Sequence, residues 1–131
     1  MITLRTVVKD AAMTACRVVA PAPARHGLIL MYHSVGSTFR VTKGAFDWQL
    51  SALTSRYEVV PLRELLPGAG VRPRAAVTFD DGYRDNVEVA LPILRRHGVR
   101  ATFFIATGTI GSCLTNSFGS FPMMDAGQIR A

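Results

Sequence analysis

The stretch Ala75-Ala-Val-Thr-Phe79-Asp80-Asp81-Gly82 decides how this chain is read. Residues 75–79 are uncharged, and the run is too short for a helix. It includes Val, Thr and Phe and ends abruptly at Asp-Asp-Gly, so it reads as a strand stopped by a turn. Because its apolar residues do not alternate with polar ones, it suits a parallel sheet, where both faces of a strand are covered. Gly27-Leu-Ile-Leu-Met-Tyr32 and Ala101-Thr-Phe-Phe-Ile-Ala106 have the same character and read as two further buried strands. Tyr57-Glu-Val-Val60 is a shorter fourth candidate.

Helical patterns fill the gaps. Thr42 can cap a helix starting near Lys43, with Phe46, Leu50 and Leu53 on one face. A second helix is expected from about Asp85 to His97, with Val87, Leu91 and Leu94 facing inward. Pro92 inside it predicts a kink or a late start. Arg95, Arg96 and His97 suit its C-terminus, and Gly98 suits the left-handed position after it. Arg63 to Leu66 reads as a helical turn, 67–70 and 107–122 as loops, and Met123 to Arg130 as the start of another helix. Strand and helix alternate, which predicts an α/β fold with a parallel sheet. Ahead of it, Leu4, Val7, Val8, Ala11, Ala15, Val18 and Val19 share a helical face that stops at Pro21-Ala-Pro23. The expected organisation is a helical segment over 1–20, a Pro/Ala linker over 21–26, and a domain region over 27–131.

Composition narrows the function classes. The 131 residues are 49% hydrophobic and 18% charged, which excludes a disordered tail. The net charge is +6, but the Arg residues are scattered and no aromatic residues interleave with them, so nucleic-acid binding is not expected. Residues 101–124 carry no charge, yet Gly, Pro, Ser, Thr and Asn interrupt them throughout, so no membrane span is expected. Arg5, Lys9 and Arg17 break any apolar signal segment, which makes a cytoplasmic location the default. Cys16 and Cys113 stand far apart with no metal-binding spacing and read as idle thiols.

Two places carry chemistry. Asp80 and Asp81 follow a buried strand, at the edge where α/β folds gather their active sites. The same letters also make an ordinary Asp-Gly turn. His33 follows another apolar strand and falls at the same sheet edge, so it could face Asp80 and Asp81 across a pocket. His26 and His97 read as a loop residue and a helix-end residue.

Val77-Thr-Phe-Asp-Asp-Gly-Tyr83, with Asn86, Ala90-Leu-Pro-Ile-Leu94, Gly98-Val99 and Ala101-Thr-Phe-Phe-Ile105, resembles the polysaccharide deacetylases, the NodB-homology proteins of carbohydrate esterase family 4. Leu30-Met-Tyr-His-Ser-Val-Gly36 resembles the branch that acts on biofilm poly-N-acetylglucosamine. The likeness runs from about Gly27 to Arg130. It implies the N-terminal portion of a distorted (β/α) barrel and a metal-dependent hydrolase, usually with zinc, that removes N-acetyl or O-acetyl groups from an acetylated glycan. By the resemblance Asp80 matches the catalytic base, Asp81 a metal ligand, and His33 the general acid. Family members often act outside the cytoplasm.

The family completes its metal site with a His-Ser/Thr-x-x-His motif downstream of the helix begun at Met123, and these 131 residues do not contain it. The resemblance therefore implies a fragment that is inactive by itself, with an unpaired edge on the strand at 101–106. The alternative is a non-catalytic glycan-binding or interaction remnant of the same fold. A dehalogenase-like phosphoryl-transfer site would want Asp-x-Asp, which Asp80-Asp81-Gly82 is not.

Overall fold

The computed structural model describes residues 27–36, 41–65, 72–117 and 119–130. The expected helix over 1–20, the linker over 21–26, His26 and Cys16 lie outside the described residues.

Four parallel strands form the sheet: β1 (Leu28–Tyr32), β2 (Glu58–Val59), β3 (Arg74–Phe79) and β4 (Ala101–Phe103). Every described pairing in it is made with β3. β1 lies along its whole length, from Leu28 opposite Ala75 to Tyr32 opposite Phe79. β2 pairs at Arg74 and Ala75, and β4 from Val77 to Phe79. The carbonyls of Pro73 and Ala75 accept from Glu58 and Val60, and that of Phe79 accepts from Phe104, whereas the Asp80 N–H points to Tyr32. Hydrogen-bonding groups two residues apart on a strand point the same way. β2 and β4 therefore share one edge of β3, in line, and β1 holds the other.

Helix α1 (Lys43–Arg56) starts where expected. The Thr42 side chain accepts from the Ala45 N–H at 3.2 Å, and Phe46, Leu50 and Leu53 are its buried residues. The second expected helix forms in two parts. Residues Asn86–Ala90 make a π turn, and α2 (Leu91–Arg96) follows. Pro92 has no N–H for the carbonyl of residue 88, and its ring crowds that carbonyl. The wider turn absorbs the misfit. α2 ends at His97, with Gly98 in the left-handed region (φ 63°). The Val99 N–H reaches the Leu94 carbonyl at 3.0 Å and the Gly98 N–H the Arg95 carbonyl at 3.1 Å, which closes the helix as a Schellman motif.

Four expectations are corrected. β1 is not buried throughout: Leu28, Ile29 and Met31 are exposed, and among the described residues β1 is paired along one edge only, with β3. β4 is three residues long and half-buried rather than a buried strand to residue 106, with Phe104 51% exposed. Residues 107–122 are not all loop, since β5 (Cys113–Asn116) and β6 (Gly119–Pro122) form an antiparallel hairpin. The last helix, α3, spans Ala126–Arg130 and not residues from 123. Cys113 is a free thiol and exposed. No helix among the described residues is long and apolar enough to cross a membrane.

The core lies between the sheet and α1 and α2, and is built around Phe46, Leu50, Val77, Phe79 and Leu94. At the α1–α2 contact, Asp47 Oδ1 accepts from Arg96 at 2.9 Å and meets His97 Nε2 at 2.8 Å. The His97 hydrogen bond first, and Arg96 second, hold the Asp47 carboxyl below its ordinary range. A carboxyl depressed in the folded state stabilises the fold above its unfolded pKa of about 4 and loses that contribution as the pH falls through the lower folded value. Asp47→Asn is therefore expected to melt slightly below the unsubstituted chain at neutral pH, with the gap closing below about pH 4. A gap that persists or widens in acid would contradict this. The effect is small because the pair is open to solvent.

Candidate active site

β1, β3 and β4 are parallel, so their C-terminal ends meet at one edge. The last residues of these strands form an aromatic floor. Tyr32 stacks on Phe79 (centroids 5.5 Å apart), Phe79 stacks on Phe103 (4.9 Å), and Phe46 of α1 meets Tyr32 and Phe79 edge-on. Strand register puts these rings side by side, since Tyr32 is opposite Phe79 and Phe79 opposite Phe103. The Tyr32 hydroxyl donates to Gln49 Oε1 at 3.0 Å, and burial pushes its phenol pKa up.

The three sequence candidates come directly after these strand ends. The Asp80 N–H donates to the Tyr32 carbonyl at 2.9 Å, which extends the β1–β3 ladder by one bond and fixes the Asp80 backbone. The chain then turns sharply. Asp81 has a positive φ of 69° and Gly82 one of 83°. Asp tolerates the left-handed region better than most residues with a side chain. A side chain at Gly82 would meet Ile105 Cδ1 at 3.0 Å, so only glycine suits both that φ and that space. The turn swings the Asp81 side chain back over the sheet edge. Its Oδ2 lies 3.0 Å from His33 Nδ1, and both side chains are about 40% exposed. Residues 48 positions apart in sequence thus meet at the edge expected for a site.

The hairpin is joined to the same turn. Met124 N–H bonds the Gly82 carbonyl, Arg84 N–H bonds the Pro122 carbonyl, and Tyr83 pairs with Met123 in an antiparallel bridge. Tyr83 also packs edge-on against Phe121, 5.9 Å between centroids. The hairpin escaped the sequence reading because Gly, Ser, Thr and Asn dominate it, and its apolar residues do not alternate clearly.

Behind His33 lie polar residues that the sequence reading gave no role. Asn86 is fully buried and Ser34 almost so. The Ser34 hydroxyl donates to Asp85 Oδ2. Two polar residues just past a strand end are a weak signal, and Asn86 entered only as part of a motif. His97 is at a helix end, as expected, and far from this site in its contacts.

Among the described residues, no three His, Cys, Asp or Glu side chains come together as a metal cage. Catalytic zinc takes three protein ligands and keeps one open position. The described residues show no such set.

Residues 68–127 match the family model described as polysaccharide deacetylase. YxkH of Bacillus subtilis (strain 168), assigned by name to the polysaccharide deacetylases, is 36% identical over a 91-residue alignment taking in 63% of this chain and 33% of that protein. IcaB from Ammonifex degensii superposes with a TM-score of 0.67 at 28% identity, over 79% of this chain and 46% of that one. The Streptococcus pyogenes deacetylase PplD, solved in complex with acetate, gives 0.56 at 27% identity, over 79% and 50%. The chain spans about a third of YxkH and about half of each of these solved structures. Their fold is the NodB-type distorted (β/α) barrel, of which the parallel sheet and its helices form a portion. The family match over residues 68–127 and the shared topology together make this chain similar to the polysaccharide deacetylases.

Proposed function

We propose that the protein carrying this region is a metal-dependent hydrolase that removes N-acetyl groups, and in some substrates O-acetyl groups, from a polysaccharide. One observation carries the reading: His33 meets Asp81 at 3.0 Å beside Asp80, on the carboxyl edge of a parallel sheet. The acetate bound to PplD is a product of the expected kind. Within residues 27–131 the reading gives parts in that chemistry to His33, Asp80 and Asp81.

An amide carbonyl is a poor electrophile, and its nitrogen is a poor leaving group unless protonated. In this reading the Asp80 carboxylate takes a proton from water as the water oxygen bonds to the acetyl carbon. The carbon–nitrogen bond then breaks, and His33 gives a proton to the departing nitrogen. With Nδ1 turned to Asp81, the proton to be delivered sits on Nε2. Acetate and a free amine on the sugar are the products. Asp81 is the metal carboxylate of the reading, with zinc the family's usual ion and its other ligands drawn from outside the described residues. When bound, such an ion polarises the carbonyl and makes water easier to deprotonate.

The test is acetate release from N-acetylglucosamine oligomers by the protein that carries this region. Release that stops with a chelator and returns with zinc is expected, as is slower amine release in His33→Ala. A protein that binds the oligomers equally well without metal and frees no acetate would overturn the proposal in favour of a glycan-binding module. An unchanged rate in His33→Ala would remove His33 from the chemistry.

A further inference from the structure

The His33–Asp81 contact is made by two half-exposed side chains on separate loops. A ring on a loop holds such a distance only if its backbone is held too. The structure has a device for this one layer down. The Asn86 amide lies between two acceptors, and its nitrogen is assigned toward them on that ground. It donates to the His33 backbone carbonyl at 3.0 Å and to Asp85 Oδ1 at 3.0 Å. The other Asp85 oxygen accepts from the Ser34 hydroxyl. Two bonds thus cross from the loop after β1 to the start of the π turn, Asn86 to His33 and Ser34 to Asp85. The third, Asn86 to Asp85, couples them. Asn86 and Ser34 are buried, so the set is shielded from competing water. An apolar filling would occupy the same space but would fix no direction. Asn is the residue type this place needs, because one amide nitrogen can donate to two acceptors at once.

We propose that Asn86, acting with Asp85 and Ser34, is a positioning residue for His33. It pins the His33 backbone to the segment that follows the Asp80-Asp81 turn, and so sets the imidazole at hydrogen-bond distance from Asp81. Its importance for catalysis rests on the reading of His33 as proton donor. The positioning itself is read without activity.

The experiment labels the histidines of the 131-residue chain with nitrogen-15 and records their ring nitrogens by NMR at one fixed pH. His33 reports the Asp81 contact. His97, bonded to Asp47 at the α1–α2 contact, is the internal control. In Asn86→Ala and Ser34→Ala, the hydrogen-bonded His33 signals are expected to be lost to those of a freely rotating imidazole, while His97 stays as in the parent. Ser34→Thr keeps a hydroxyl and is expected to keep the His33 signals. His33 signals unchanged in both alanine variants would overturn the proposal. So would His33 and His97 moving together, the mark of general loosening, or a parent chain whose His33 is already free. Should Asn86→Ala fail to fold, the contrast between Ser34→Ala and Ser34→Thr decides. Acetate release is measured separately, with the same substitutions placed in the longer protein that carries this region. A kcat that falls at constant KM supports both readings. A lost contact with unchanged kcat upholds the positioning and removes His33 from the reaction.

Discussion

Replacing Asp80 by Asn is expected to lower acetate release by about 10²- to 10⁴-fold, the usual worth of a positioned acid or base. The substitution isolates that role. Asp80 is fixed through its backbone N–H, which bonds Tyr32 at 2.9 Å, and Asn keeps that bond and nearly the same shape. What Asn lacks is a carboxylate to take the proton of water. Asp81 and His33 remain on each other, so metal affinity is expected to stay as it was. Rate and metal binding measured on the same preparation check both parts. Turnover at the parent rate in Asp80→Asn would end the assignment. Equal loss of metal and rate would instead make Asp80 a ligand.

Phe79→Ala is expected to cost about 3–5 kcal/mol of stability, the range for emptying an aromatic site in a packed core. Phe79 is fully buried and touches three other rings, Tyr32, Phe46 and Phe103. Each such pair is worth about 0.5–1.5 kcal/mol beyond area burial. Domains hold only about 5–15 kcal/mol in total, so this one change uses up a large part of the margin. Urea unfolding should show a much lower midpoint at an unchanged slope. Phe104→Ala is the matched control, because Phe104 is 51% exposed and should cost little. A Phe79→Ala chain within about 1 kcal/mol of the parent would mean that the floor repacks around the gap, unlike the cavities of typical cores.

The parts legible in the sequence were those written in apolar runs and turn residues. The strand at 75–79, the Thr42 cap with Phe46, Leu50 and Leu53 behind it, and Gly98 at a helix end each rest on a local rule, and each is where that rule puts it. Burial was less legible. Gly27 to Tyr32 is apolar enough for a strand covered on both faces, but the run says nothing about what covers it, and Met31 is 58% exposed. The hairpin at 113–122 was invisible because its pairing is held by its tie to the Gly82–Arg84 turn, a long-range contact that composition does not record. For the site, the strand ends mark one sheet edge, and that is enough to group His33, Asp80 and Asp81. That His33 takes Asp81 rather than Asp80 depends on the positive φ of Asp81 and Gly82, where only the Gly was a signal. The supporting Asn86, Asp85 and Ser34 bonds depend on two loops meeting, which spacing does not encode.

The dependence of every described sheet pairing on β3 also has a consequence in time. During synthesis β1 emerges first, then α1 and β2, and none of these strands has its described partner until residues 74–79 follow. The exposed edge of β1 and the apolar side chains of Leu28, Ile29 and Met31 must wait through that interval. Once β3 arrives it pairs with β1 on one edge and β2 on the other, so three strands join in one late step, and β4 is added when residues 101–103 follow. A ribosome paused just before codon 74 would hold a nascent chain with α1 available and no sheet.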